Sequence, residues 1–266
     1  MRLPEAEVGV FGGTGFYSFL SDIELVTVQT PYGAPSAQVA VGSLGDRRVA
    51  FLPRHGVDHE YPAHRVNYRA NLWALRRLGV TRVLAPCSVG SLQPGLRPGE
   101  FVICDQVVDR TRGRADTYFD GPVLNCIGFA DPYCPELRGV VAGAASDEGI
   151  VAHPSGTVVV INGPRFSTRA ESKWFSSAGW DVVNMTQYPE CVLARELGIC
   201  YTGVALVTDY DVGLAGVEGI EPVTMEVVFR VLRENVEKVQ RLLVRAIPAV
   251  RAHRSCSCGE GAVDPG

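Results

Sequence analysis

The stretch "ICYTGVALVTDYD", residues 199–211, decides the fold. From Ile199 to Val207 it is apolar, aromatic or β-branched with little polar interruption, as in a strand buried inside a sheet. It then runs into Asp209, Tyr210 and Asp211. In an extended segment Asp209 and Asp211 point to the same side. Two carboxylates that close repel each other, and apolar flanks penalise ionisation, so at least one pKa is expected to be raised. A carboxylic acid kept neutral donates a hydrogen bond while its neighbour accepts one. A helix cap or a partly solvated pair of loop acids is the plainer alternative, and the chemical reading is preferred.

Outward from this strand, apolar runs and helical spacings alternate. Val8 to Phe11 is a short strand entering "GGTG", and "AQVAVGSL" and "RRVAFLP" are joined by Gly45-Asp46, a hairpin signal. "NYRANLWALRRLG" has helical spacing, with Val66, Ala70, Trp73 and Arg77 along one side and Gly79 as its stop. "RVLAPC" is a strand entering a Gly/Pro-rich loop, and "EFVICDQVVD" reads as one further strand. "LRGVVAGAASDEG", "STRAESKWFSSAG" and "PECVLAREL" read as helices around the strands "GTVVVING" and "DVVNM". A long helix is predicted over 224–247, stopped by Pro248. The expected fold class is therefore α/β, a single domain over residues 1–252 with a largely mixed or parallel sheet flanked by helices. A disordered tail is expected over 253–266.

Bulk composition agrees. A hydrophobic fraction of 46% and a charged fraction of 20% suit a globular chain with a sizeable core. A net charge of −4 argues against a general nucleic-acid or anionic-membrane binder. No charged-then-apolar leader opens the sequence and no apolar run approaches membrane-spanning length, so a cytoplasmic protein is expected. Most of the 8 Cys read as buried small hydrophobes in a reducing compartment. Cys256 and Cys258 stand too close together and too isolated for a four-ligand zinc site, and His55, His59 and His64 lack a completing ligand, so no metal is expected.

In sheets of this kind ligands bind beyond the carboxyl ends of the strands. "GGTG", "PRHG", "PCSVGS", "NGPRFS", "NMT" and "TDYD" all fall there. "GGTG" does not match a dinucleotide fingerprint. It is a tight turn or an anion cradle in which Thr14 adds a hydroxyl. Arg54, directly after an apolar strand, suits a fixed cation for phosphate or carboxylate. Helix capping accounts for Ser167, Thr168 and Thr186 about as well as ligand binding does.

Together, "GGTGF", "TPYGAPS", "RHG", "VNYRANLWAL", "DQVVDRT", "INGPRFSTRAES", "NMTQYPECVLARELGICY" and "VTDYD" resemble the methylthioadenosine phosphorylases of the purine nucleoside phosphorylase family, from about Val8 to Ile247. The resemblance implies a partly barrel-like mixed sheet and a homotrimer or a dimer of trimers. It implies phosphorolysis of a purine nucleoside with inorganic phosphate as co-substrate and no cofactor. It assigns Thr14, Arg54, His55, Cys87, Ser88 and Thr186 to phosphate, Met185 to the ribose and Phe166 to the base. Asp211 would hydrogen-bond or protonate purine N7 and Asp209 would accept from a 6-amino group, with Tyr210 between them. Relatives acting on 6-oxopurines usually carry Asn at the position of Asp209 and Glu near that of Ser167, so the pattern favours adenine.

The chain also departs from the family pattern. Cys87 stands where Thr, Ser or Asn is frequent, and a thiol is a weak donor. "NCIGFADPYC" lacks the His that some relatives bring to the 5′ end across the trimer, leaving Cys126 or Phe129 there. With Met225 and Val228 from the last helix, that lining suits a methylthio or another 5′-deoxy substituent. Some thermostable relatives carry a similar "CSC" tail in which disulfides form. Three alternatives stay open: a phosphorylase for 6-oxopurine nucleosides or methylthioinosine, a nucleoside hydrolase, and a ligand-binding protein without activity.

Overall fold

The computed structural model describes residues 3–12, 19–122, 124–214, 224–260 and 262. In chain order its elements are β1 Val8–Gly12, β2 Ser21–Val26, β3 Val39–Leu44, β4 Arg47–Pro53, α1 Tyr68–Arg77, β5 Arg82–Ser91, β6 Phe101–Ile103 and β7 Gln106–Arg110. They continue with α2 Pro135–Asp147, β8 Ala152–His153, β9 Thr157–Ile161, α3 Arg169–Ser177, β10 Val182–Asn184, α4 Gln187–Glu196, β11 Cys200–Tyr210 and α5 Met225–Ala249. All the described strands belong to one mixed sheet, whose main path is β2-β3-β4-β1-β5-β10-β9-β7. β5 is the branch point: it pairs in parallel with β1 and β11 and antiparallel with β10.

β11 shows why the run 199–207 lacks polar alternation. Tyr201, Ala205 and Val207 pack into one core with residues of α1 and α4, while Cys200, Val204 and Leu206 pack into another with α2 and α5. Both faces are covered, so both parities must be apolar. A third, smaller core joins Leu92, Val159, Ile161 and Val183 to Phe175 of α3.

Local signals account for most boundaries. Asn67 caps α1 by accepting from the Ala70 amide, and Thr224 caps α5 through Val227. α5 ends at Ala249, one residue past Pro248. The Gly45-Asp46 hairpin forms as expected between β3 and β4. "EFVICDQVVD" is two strands instead of one. The chain breaks at Cys104-Asp105 because the halves serve different neighbours, β6 pairing with β11 and β8, and β7 with β9. Among the described residues no helix is long and apolar enough to cross a membrane.

Over residues 253–260 the chain makes specific contacts where a disordered tail was expected, and 261 and 263–266 lie outside the described residues. The Arg254 guanidinium donates to the Gly198 carbonyl, the amides of Ser255 and Cys256 donate to Glu136, and Cys258 is buried in a 3-10 turn over Ser257–Gly259. Specific partners on α2 and at the start of β11 fix this segment, and its polar composition concealed them.

Candidate active site

The two acids are set by a β-bulge. Along β11, Val207 lies opposite Val89 and Asp209 opposite Gly90, so Thr208 is an extra residue. In a regular strand Asp209 would share the face of Val207, which packs into the core under α1 and α4. The inserted residue turns Asp209 to the other face, a common use of bulges beside functional sites. Asp211 follows immediately, its amide donating to the Ser91 carbonyl at 2.8 Å. Both acids crowd Gly90: a methyl group there would lie 3.0 Å from Asp209 Oδ1 and 3.5 Å from the Asp211 Cβ. Only glycine leaves that approach open.

Both carboxyls are buried. Burial pushes Asp209 up to about 6, opposed by a hydrogen bond from Thr208 and reinforced by the charge of Asp211. The Thr208 hydroxyl donates to Asp209 Oδ2 at 2.8 Å. Burial also raises Asp211, against the opposing effect of the Ser172 and Ser167 hydroxyls and the Val212 amide. Among the described residues, Asp211 Oδ2 and Ser167 Oγ are nevertheless buried without a hydrogen-bond partner. The helix that follows explains the spare hydroxyl. Thr168, not Ser167, caps α3, in a reciprocal capping box with Glu171.

Of the proposed phosphate residues, Arg54, Cys87, Ser88 and Thr186 gather around the middle of β5. β10 runs against β5, with Val182 opposite Ser91 and Val183 opposite Gly90. The chain therefore leaves β10 level with Ser88, whose carbonyl accepts from Asn184 Nδ2 at 3.0 Å. This modifies the expectation of a site beyond the strand ends. The antiparallel pair brings "NMT" back beside "PCSVGS", halfway along β5. Thr186 is the N-cap of α4 but makes no side-chain cap bond, because Asn184 Oδ1 accepts from the amides of Thr186 and Gln187 instead. Capping does not account for its hydroxyl.

Arg54 is buried, and Glu190 grips it from two sides, Nε to Oε1 at 2.5 Å and one terminal nitrogen to Oε2 at 3.0 Å. Its other terminal nitrogen donates to the Pro86 carbonyl, and Tyr201 donates to Glu190 at 2.8 Å. A guanidinium has five N–H donors. Among the described residues three are used, leaving two for a ligand. Burial alone would favour loss of the Arg54 proton, but Glu190 outweighs it and holds the group charged. His55 is pushed down to about 4 by burial and by the Arg54 charge beside it. Its Nδ1 lies 2.8 Å from the Tyr61 carbonyl, so that nitrogen carries the proton and Nε2 is left as an acceptor. The Cys87 thiol accepts from Gln187 Nε2 at 3.3 Å, and burial pushes it up to about 11. Thr14 lies outside the described residues.

Met185 is half-buried against the small third core and would clash with any side chain at Gly163. Phe166 is half-buried beside Ser167, and the Tyr210 hydroxyl reaches the Pro94 carbonyl at 3.5 Å. Met225 and Val228 stand on the first turn of α5, Met225 more than half exposed at 52%.

Sequence reading missed Glu190, Gln187, Asn184 and Arg114. Arg114 ties the site loops together, donating to the carbonyls of Asn162 and Met185 at 2.9 Å each and to that of Tyr188. Gln187 is fully buried against Gly203, where a methyl would sit 2.3 Å from its Oε1. The available signal was the pairing of polar residues at 187 and 190 with apolar neighbours on a helix that packs onto the sheet.

The sequence pattern of the Phosphorylase superfamily matches residues 7–248. The chain belongs to the phosphorylase superfamily. The phosphorylase is 56% identical over 251 residues to the S-methyl-5′-thioadenosine phosphorylase of Mycolicibacterium smegmatis, covering 94% of this chain and 93% of that relative. It is 50% identical to a purine nucleoside phosphorylase of Streptomyces coelicolor, covering 98% and 97%. Among solved structures, the methylthioadenosine phosphorylase of Schistosoma mansoni in complex with adenine superposes with a TM-score of 0.89 at 36% identity, covering 96% of each chain. The mixed sheet flanked by helices is thus the fold of solved nucleoside phosphorylases, as the sequence resemblance implied.

Proposed function

We propose that the phosphorylase cleaves 5′-methylthioadenosine with inorganic phosphate, giving adenine and 5-methylthioribose-1-phosphate, a purine-salvage reaction without a cofactor. The observation that carries this reading is the pair of buried acids turned over Gly90, one of them with a carboxylate oxygen that has no partner among the described residues. A phosphate oxygen forms its bond to C1′ as the bond from C1′ to purine N9 breaks. The bonding pair moves onto the purine, and Asp211 donates to N7, an interaction that strengthens as charge develops. Asp209 accepts from the exocyclic 6-amino group. At about 6 it is mainly ionised at neutral pH, so both its oxygens accept. The two free N–H groups of Arg54, the hydroxyls of Thr14 and Thr186 and the Ser88 backbone hold phosphate beside Cys87. His55 Nε2 accepts a hydrogen bond from a P–OH group. Met185 lies under the ribose, Phe166 and Ser167 meet the base, and Met225 and Val228 approach the 5′ group.

A homotrimer is part of this reading. Leu124 is 87% exposed and Cys126 is exposed, so the segment that relatives extend toward a neighbouring site is available to a second copy. A second reading, a phosphorylase for 6-oxopurine nucleosides or methylthioinosine, is favoured by the likeness to the Streptomyces coelicolor purine nucleoside phosphorylase. Base release from methylthioadenosine, adenosine, inosine and methylthioinosine, each with and without phosphate, separates the two. Phosphate-dependent adenine release from methylthioadenosine is expected. Preferential hypoxanthine release would move the assignment to the second reading, and release without phosphate would make this a hydrolase.

A further inference from the structure

The "CSC" pair is not isolated. Four sulfurs, from Cys134, Cys200, Cys256 and Cys258, lie within 4.8 Å of one another, and all are free thiols. They come from three separate places in the chain. Cys134 is the N-cap of α2, Cys200 opens β11, and the other two lie in the terminal segment. Cys134, Cys200 and Cys258 are buried, and Cys256 is half-buried. Cys256 Sγ lies 3.7 Å from Cys134 Sγ and 3.4 Å from Cys200 Sγ. In a tetrahedral zinc–thiolate centre with bonds of about 2.3 Å, neighbouring sulfurs stand roughly 3.8 Å apart. We propose that Cys134, Cys200, Cys256 and Cys258 form a closed four-thiolate zinc site that clamps the carboxyl-terminal segment to α2 and β11.

The surroundings suit a centre that is anionic overall. Four thiols lose four protons on binding one Zn²⁺, leaving a net charge of −2 on the complex. Buried Arg82 lies directly opposite Cys200 in the sheet register. Cys134 sits where the α2 dipole favours a thiolate. Glu136 accepts the amides of Ser255 and Cys256, fixing the loop that carries the third and fourth sulfurs. One tetrahedral ion engages all four mutually close sulfurs at once, without the two-electron oxidation that each of two disulfides would need. With no open coordination position, the site is structural and independent of the proposed reaction.

The test uses the full chain, without a polyhistidine tag, purified under reducing conditions and dialysed after incubation with zinc chloride. Elemental analysis is expected to find one zinc per chain, with the four thiols shielded from alkylation until a mercurial displaces the metal. Cobalt(II) in place of zinc should give a thiolate-to-cobalt charge-transfer band. The Cys256→Ser/Cys258→Ser double variant, which alters only the terminal segment, should lose both the metal and that band, and its thermal midpoint should fall to that of chelated wild type. A reduced wild-type chain that retains no zinc, or whose four thiols alkylate equally fast with and without zinc, overturns the proposal.

Discussion

The two ends of the candidate site follow opposite electrostatic plans. Around the proposed phosphate position each ionisable group already has a fixed partner: Arg54 has Glu190, Glu190 has Tyr201, and His55 is held neutral on the Tyr61 carbonyl. Around the proposed base position two acids are buried, Asp209 bonded to the neutral Thr208 hydroxyl, and among the described residues Asp211 Oδ2 and Ser167 Oγ lack a hydrogen bond. An unsatisfied buried polar group costs about 1–3 kcal/mol, so it survives where a ligand completes it. In the proposed reaction the satisfied end serves as a ready-made cradle, and the unsatisfied end is where bonding would change.

The largest effect should come from removing the unsatisfied acid. Asp211→Asn keeps the shape but cannot supply a proton, and kcat/KM for adenine release should drop by about 10²–10⁴, the usual worth of a general acid. Its melting temperature should hold or rise, since a costly buried carboxyl is gone. A variant with a small activity loss and a lower melting temperature would break the contrast, making Asp211 a structural partner. The satisfied end should respond in the opposite way. Glu190→Ala strands the buried Arg54 charge, and denaturant unfolding should show a loss of about 3–5 kcal/mol. A neutral outcome would mean that the Arg54–Glu190 pair does not organise the cradle.

The contrast was half legible in the sequence. A buried strand ending in acids was visible because burial on both faces removes polar alternation, and the Thr168–Glu171 capping box was visible because it is local. Glu190 lies 136 positions from Arg54, and nothing in its own helix announces that partner. The bulge at Thr208 was also hidden. It arises from how β11 registers against Gly90, and without it two acids two residues apart would have seemed sufficient. The four-cysteine cluster was hidden for the same reason, since Cys134 and Cys256 are separated by 122 residues. Sequence spacing reveals sites within one element, and only topology reveals those shared among several.

Stability against pH sharpens the comparison further. Asp209 titrates at about 6 in the folded chain, against about 3.9 in an unfolded one. The folded state binds the extra proton between those values, so this group lowers stability as pH rises from about 4 to 6. His55 titrates at about 4, against about 6.5 unfolded. There the unfolded state binds the proton, so stability is lost as pH falls through the same window. The two slopes oppose each other, each worth roughly 3 kcal/mol at most, at about 1.4 kcal/mol per pKa unit. Melting temperatures of Asp209→Asn should therefore rise with pH between about 4 and 6.5 relative to wild type. Those of His55→Gln should fall over the same range. Parallel profiles for all three chains would show that neither group is perturbed.

The smallest expected change tests whether Cys87 belongs to the satisfied end. Its thiol already accepts from Gln187, and at about 11 it stays protonated through the working range, so charge does not confound the comparison. In Cys87→Ser, a hydroxyl can accept from Gln187 and donate more strongly than a thiol to a phosphate oxygen. One improved neutral hydrogen bond is worth about 0.5–1.5 kcal/mol. KM for phosphate should accordingly fall by about 2- to 10-fold with kcat nearly unchanged, because phosphate is bound before and during bond breaking alike. If KM for phosphate does not move, Cys87 only packs beneath the cradle, and the Ser88 backbone with Arg54 and Thr186 carries the contact.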